Sequence, residues 1–590
     1  MSNEPRISAI EANKARSRSL RGTIAEELAT GDPCFSPRTA QLLKFHGIIQ
    51  YADRDQRRHR RARGLQPLFR FTLRVRPTGG RLTPGQLLGV LELAQSHSLD
   101  SPRITSRQGL QLSGATKGQL KTIVRQLAEL GLSTFASGGD VNCNVMCCPD
   151  PHCVDPLKWQ LHWIADQIAT SFMPDDGAYR EIWLADETHG GKDARSRPIP
   201  IDPIYGPSYL PHKFKIGLAF PEDNCIDVLA QDVGLLAVVE RERINGFDMW
   251  LGGGLGMIPS VARSVPMLAR PFAFVPLEQL LPTIFAVMSV YRDFGNRSRR
   301  SGARLKYLLA AWGLDAFRQR VESRLSAKLA APRGVHVCGR HDHLGWHRAP
   351  EGIWSLGLAV ENGRIGGPNH PQLPAALKEI LAHNCGEVRL TPSQDLLIAG
   401  IAESSRASIQ GILDRHAIAV GESLTPLRRG ARACPALPSC RSAITEAERI
   451  VPKLVADLEK ELARLGLADE PCSICVAGCP CGCTRSYLAD IAIVGRTVDT
   501  RQSIEKFAIF VGGDRLGRRL NRLYRDLVPR QDIIPTLRPL LTHYRRARHD
   551  GETLGAFLYR VHGDESSPLR VDSSHEPTGH AHSSMKENQV

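Results

Sequence analysis

Seven of the fifteen cysteines fall between residues 434 and 483, and their spacing is the strongest chemical signal in the chain. ACPALPSC at 433–440 pairs Cys434 with Cys440, and GCPCGC at 478–483 pairs Cys479 with Cys483 across Cys481. Cys472 and Cys475, in CSIC, precede the second pair. Thiolates are soft ligands, so two such pairs read as a metal centre. Zinc is the main structural alternative, but common zinc knuckles are C-x2–4-C, and Cys472–Cys475 meets that spacing with no equivalent partner pair.

Two separated pairs need an element that returns the chain to one place. Residues 441–467 supply it, with Ile450, Val451, Leu454, Val455, Leu458 and Leu462 on one helical face. Thr445 with Glu448 resembles a capping box, Gly466 a stop, and Pro452 predicts a kink or a late start. Farther out lies an internal repeat. RITSRQGLQLSG (103–114) aligns without gaps on RLTPSQDLLIAG (389–400). Each copy follows a β-like run ending in glycine and a helical segment, and precedes a Gly-rich strand end, MWLGGGLG (249–256) or IFVGGDRLG (509–517). Three elements recurring in order predict a duplicated α+β chain folded about a pseudo-twofold axis. GGGLG lacks the G-x-G-x-x-G spacing, so it reads as backbone near a bulky ligand or as a plain tight turn.

The 590 residues exceed one core, and the net charge of +15 points to an anionic substrate or partner. Much of the excess sits in RDQRRHRRAR (54–63), where a solvated face is the plain reading. The opening residues lack an apolar stretch, and the apolar run 270–291 carries Glu278 and internal prolines, which argues against a membrane span. Cysteines without an export signal suit a reducing compartment, so a cytoplasmic location is expected.

The motif ACPALPSC…GCPCGC resembles that of the sirohaem-containing sulfite and nitrite reductases. LRGTIAEEL (20–28), RITSRQGLQL, YLPHKFKIG (209–217), FGNRSRRSGARLKYLL (294–309) and YLADIAIVG (487–495) extend the likeness. It implies the duplicated nitrite/sulfite reductase fold. Each repeat then has a ferredoxin-like half-domain (66–135, 336–420) and a larger α+β unit (136–335 for sirohaem; 421–563 for cluster and sirohaem). An N-terminal extension (1–65) would wrap the core, and 564–590 would be a disordered tail. By the resemblance Cys434, Cys440, Cys479 and Cys483 hold a [4Fe–4S] cluster, and Cys483 also ligates the sirohaem iron. Arg103, Thr105, Arg107 and Gln111 would hold sirohaem carboxylates, and Arg74, Lys213 and Lys215 the substrate anion. Read alone, LPHKFKIGLAF is an ordinary strand with both lysines on one outward face.

Several positions depart from the family pattern. Cys143 in DVNCNV replaces an anion-binding arginine, Cys481 replaces an asparagine, Asp395 and Asp514 replace further asparagines, and His212 replaces an arginine. Cys481, flanked by ligands, is expected to point elsewhere. Cys472, Cys475, Cys147, Cys148 and Cys153 are expected to be plain thiols. The implied reaction is six-electron reduction of sulfite to sulfide in cysteine biosynthesis. LKFHGIIQYADRD (43–55) leans toward the sulfite branch over nitrite, and a catalytically eroded sirohaem or iron–sulfur binding protein is the third reading. No flavin or nicotinamide motif is present, so the electron donor is a separate protein, either a diflavin NADPH reductase subunit or ferredoxin.

Overall fold

The computed structural model describes residues 7–150, 155–185, 201–261, 263–349, 352–383, 385–499 and 503–562. Cys153 and the tail expected over 564–590 lie outside them. The described residues fall into two compact units, one drawn from Met1–Gly254 and Leu268–Leu424, the other from Leu255–Met267 and Thr425–Val590.

In the first unit, β1 (Ile48–Ala52), β2 (Phe69–Val75), β3 (Arg81–Leu82), β4 (Arg103–Ile104) and β5 (Leu110–Ala115) open the chain. β1, β2, β5 and β4 form an antiparallel sheet in that order. The helix Pro84–Ser96 starts where Thr83 accepts from the Gln86 amide and Gln86 accepts from the Thr83 amide, a reciprocal cap at 3.1 and 2.9 Å. The helix Leu120–Glu129 buries Leu120, Ile123, Val124 and Leu127, one stripe at helical spacing. A second sheet follows with β6 (Met146–Cys147), β7 (Ile216–Ala219), β8 (Val233–Glu240), β9 (Arg243–Leu251) and β10 (Arg270–Pro276). Its first three strands run parallel and its last two antiparallel.

The pattern then repeats. β11 (Gly345–Arg348), β12 (Ile353–Leu358), β13 (Glu387–Leu390) and β14 (Leu396–Ala402) form an antiparallel sheet ordered β11-β12-β14-β13, extended by β3. Within this unit the two small halves exchange contacts reciprocally: Arg81 pairs with Arg389, and Arg103 bridges to Arg364. The repeated RITSRQG and RLTPSQD segments thus sit on pseudo-twofold-related edges.

The second unit holds β15 (Ala431–Ala433), β16 (Ile474–Ala477), β17 (Ile491–Asp499), β18 (Ile504–Val511) and β19 (Arg522–Pro529). Its strand order and directions match those of β6 to β10. The helix Val451–Arg464 covers this sheet with Val451, Leu454, Val455, Leu458 and Leu462 buried. Pro452 lies in its first turn, so the late start holds and the expected Thr445–Glu448 box does not form. A helix begun at Thr445 would need an N–H that Pro452 lacks. Thr445 is buried and its hydroxyl donates to the Glu446 carbonyl.

The apolar run near 270–291 is β10 followed by the helix Leu277–Phe294 with Pro282 inside. Among the described residues no helix is long and apolar enough to cross a membrane. The basic run forms the short helix Arg57–Ala62 with no buried residue, the solvated reading.

One buried ion cluster ties the N-terminal helix Ala9–Ala15 to the first unit. Asp140, 2 % exposed, receives Lys14 at 3.1 Å and both terminal nitrogens of Arg300 at 2.7 Å. Burial opposes ionisation, but Arg300 and Lys14 outweigh it and hold the carboxyl at about 2, against 3.8 for the free group. The unfolded chain therefore binds the proton first on acidification. The stabilisation is complete above pH ~4 and is lost as pH falls through about 2, a loss of about 2 kcal/mol. Asp140→Asn should lower unfolding free energy in urea by about 3 kcal/mol, because two buried cations lose their partner. Removal of this acid-sensitive step in a pH-dependent melt is the accompanying check.

Candidate functional site

β15 and β16 are adjacent and parallel, joined through the helix Val451–Arg464. Cys434 directly follows β15, and Gly478 and Cys479 directly follow β16, so both cysteine loops leave the carboxyl ends of neighbouring strands. Open α/β sheets bind ligands at such ends. The Gly478 amide donates to the Cys434 sulfur at 3.2 Å, a contact that favours thiolate. Cys434 and Cys479 are buried, Cys440 and Cys481 half-buried, and Cys483 exposed.

Cys479 carries the clearest electrostatic mark. A hydrogen bond with Cys481, then burial, then the charges of Cys481 and Cys483 push its thiol far above the usual range. These thiols cannot ionise together unless positive charge joins them, and a metal cluster supplies it. The donor set fits a cluster. Cys481 does not point elsewhere, as expected, but meets Cys479. Residues 478–485 form turns rather than a strand, so alternation of side chains fails there, and Gly482 has the left-handed φ of +65°.

The Gly-rich stretches have a different role from the ligand-facing one considered above. A side-chain carbon on Gly253 would lie 2.3 Å from the Leu229 carbonyl oxygen, and one on Gly513 2.2 Å from that of Leu488. Both are places where backbone packs on backbone. In the second unit, the end of GGGLG braces the cysteine loop: the Met257 amide donates to the Pro480 carbonyl at 3.1 Å.

The anion-site residues fall into two groups in the first unit. Arg74, Gln111 and Arg103 occupy one cross-strand row of β2, β5 and β4. Arg74 Nε is buried without a hydrogen-bond partner, a donor suited to an anionic ligand. The second group is Arg107, Lys213 and Lys215. Phe214 is fully buried and bridges Asn142, while the flanking lysines are half-buried on the opposite face, as the period-two reading expects. Burial, then the charges of Arg107, Lys213 and Arg304, hold the Lys215 ammonium well below the usual lysine value. Thr105 is committed locally: its oxygen accepts from the Arg107 and Gly109 amides at 3.4 and 3.2 Å, leaving its O–H to donate.

Sequence reasoning missed Arg304, Asp232 and Lys306. Arg304 clasps the fully buried Asp232 with 2.8 and 2.9 Å contacts. Lys306 donates to the Gly254 carbonyl at 2.9 Å and is brought down to about 7 by burial and Arg304. The signal was the basic run at 294–309. Cys143 is 4 % exposed, its amide donating to Phe214, and it neighbours Arg76 and Arg304. One terminal nitrogen of Arg76 is buried without a partner. Asp395 and Asp514 have structural work: Asp395 accepts from the Val360 amide, and Asp514 accepts from the Leu516 amide and pairs with Arg518.

Cys472 and Cys475 are buried thiols, as expected, whereas the buried Cys147 meets His162 Nδ1 at 3.1 Å. Cys148 is not plain: it meets Asp223 and His343.

Comparison with known proteins agrees with this arrangement. The model of the nitrite and sulphite reductase 4Fe-4S domain matches residues 167–329 and 426–565. That of the nitrite/sulfite reductase ferredoxin-like half domain matches 64–130 and 347–416. The sulfite reductase [NADPH] hemoprotein beta-component of Staphylococcus haemolyticus is 37% identical over 95% of this chain and 97% of its own length. That of Geobacillus kaustophilus is 39% identical over 94% and 95%, and that of Myxococcus xanthus 38% over 96% and 99%. The Mycobacterium tuberculosis NirA protein shares the fold, with a TM-score of 0.76 over 94% of this chain and 96% of its own at 24% identity. Matched twice by each family model and along almost its whole length by these relatives, the chain belongs to the nitrite and sulphite reductase family.

Proposed function

We propose that this protein reduces sulfite to sulfide, using a [4Fe–4S] cluster and sirohaem. The observation that carries the reading is the crowded thiol set at the ends of β15 and β16, in a chain whose full-length relatives are named sulfite reductase hemoproteins. Cys434, Cys440, Cys479 and Cys483 would hold the cluster, and Cys483 would also serve the sirohaem. When bound, these groups supply an iron for the substrate sulfur and a store for single electrons.

The remaining work belongs to side chains of this chain. Arg103, Arg107, Gln111 and the Thr105 hydroxyl would hold sirohaem carboxylates, Arg107 with the N–H groups left over from its bonds to Gln231 Oε1 and the Asn144 carbonyl. Arg74, Lys213 and Lys215 bind sulfite. Lys215, already weakened as a base by its cationic neighbours, releases a proton readily to a departing oxygen. Electrons come from a separate NADPH-oxidising flavoprotein, the donor that the relatives' names favour, with ferredoxin as the alternative. Cysteine biosynthesis in the cytoplasm is the setting this chemistry suits.

With reduced methyl viologen as donor, sulfite should be consumed with a far higher kcat/KM than nitrite; the reverse order would move the chain to the nitrite branch. Full cofactor content with turnover of neither anion would favour an eroded binding protein. Cys479→Ala should purify with most of its cluster iron and acid-labile sulfide gone. Lys215→Met should lower kcat/KM for sulfite by about a hundredfold or more. The wild-type rate should fall as pH rises through the depressed Lys215 value, since the ammonium is then lost, and this limb should be missing in the variant.

Cys143 removes a cation from the anion site that the family resemblance implies, a contact worth roughly 1.5–3 kcal/mol. Cys143→Arg should therefore lower the KM for sulfite by tenfold or more, on the order of that energy, and reduce any release of partly reduced products. An unchanged KM and product spectrum would show that Arg74, Lys213 and Lys215 suffice.

A further inference from the structure

Cys148, Asp223, Cys225 and His343 converge in the first unit. Each offers one ligand atom, and these atoms all lie within 4.8 Å of one another. All four residues are buried, between 1 and 8 % exposed. Cys148 Sγ is 2.8 Å from Asp223 Oδ2, His343 Nε2 is 3.0 Å from that oxygen, and Cys148 Sγ is 3.8 Å from His343 Nε2. Ligands around a tetrahedral zinc stand roughly 3.3–3.8 Å apart, given bonds of about 2.0–2.3 Å. The set needs only small shifts to close on one ion.

The surroundings hold these groups in place. The His341 amide donates to Asp223 Oδ1 at 3.0 Å, leaving Oδ2 toward the cluster, and the Asp150 amide donates to Cys148 Sγ at 3.5 Å. The segment carrying His343 is fastened by its backbone: Cys338 donates to the Pro221 carbonyl and Asn224 to that of Gly339, at 2.8 and 2.9 Å. Such outer contacts orient ligands in metal sites.

Strand register supplies an independent argument. Ile216 pairs with Val233 as Ile474 pairs with Ile491, and Met146 pairs with Gly217 as Arg432 pairs with Cys475. Counting onward, Cys148 occupies the position of Cys434, Asp223 that of Cys481 and Cys225 that of Cys483. The left-handed residues that follow, Asp227 and Arg485, coincide as well, each opening a short helical turn. The duplicated half therefore carries ligand-type side chains where the other half has its cysteine loop. Pro221 stands in the place of Cys479, so a four-thiolate cluster cannot be held here.

From this juxtaposition we infer that Cys148, Asp223, Cys225 and His343 bind one zinc ion, a closed structural site of two thiolates, one imidazole and one carboxylate. The ion joins the loops after β6 and β7 to the segment leading into β11. This inference does not rest on the proposed sulfite chemistry, and iron and zinc report on the two centres separately.

The test is elemental analysis and zinc-edge X-ray absorption of the purified holoprotein after dialysis against EDTA. The expected result is about one zinc per chain with two sulfur neighbours at about 2.3 Å and two lighter ones at about 2.0–2.1 Å. Cys225→Ala and His343→Ala should each lose most of the zinc while keeping iron and acid-labile sulfide. If those variants do not fold, the wild-type protein still decides: Cys148 and Cys225 should resist alkylation until zinc is stripped, then label. The inference is overturned by iron-replete protein without zinc, by a sulfur-free zinc shell, by a Cys148–Cys225 disulfide in the peptide map, or by variants retaining zinc. Iron in this shell in place of zinc would also overturn it.

Discussion

Mutual repulsion among thiolates is the constraint on which the cysteine site turns. The chain brings Cys479, Cys481 and Cys483 together in one loop at the carboxyl end of β16, where the hydrogen bond with Cys481, burial and the charges of Cys481 and Cys483 raise the Cys479 thiol. Only a cationic centre can hold several of them ionised at once. The parallel pairing of β15 and β16 makes this crowding possible, because it delivers two loops to one end of the sheet. The helix Val451–Arg464 buries its apolar stripe and so returns the chain from one loop to the other.

Duplication gives the protein two sheets with the same strand order and directions. The backbone is reused, while the side chains at the strand ends have diverged. Gly253 and Gly513 show the conserved side of this, both excluded from bearing a side chain by a carbonyl about 2 Å away. The loop residues show the other side: Pro221 and Cys479 sit at matching positions with unrelated chemistry.

In the first unit positive charge is concentrated and incompletely answered. Asp232 and Asp140 each clasp an arginine, but Arg107, Lys213 and Lys215 face one another with Asp232 as the carboxylate that raises Lys215. Such a group favours anions of several carboxylate or sulfur-oxygen charges, and it disfavours the protonated form of its own lysine.

Much of this was legible in the amino-acid order. Cysteine spacing marks the cluster loops, the gapless repeat marks the duplication, and the stripe from Val451 to Leu462 marks the returning helix, because each is a local pattern tied to a fixed period. The Thr445 cap was misread because one proline outweighs a capping motif. Cys481 was misread because strand alternation does not apply in a turn. Arg304 and Lys306 joined the cationic group unseen, and His343 meets Cys148 across 195 residues. Local periodicity states which face a residue occupies on its own element. Which faces then meet depends on strand register and chain return, and these only tertiary packing decides.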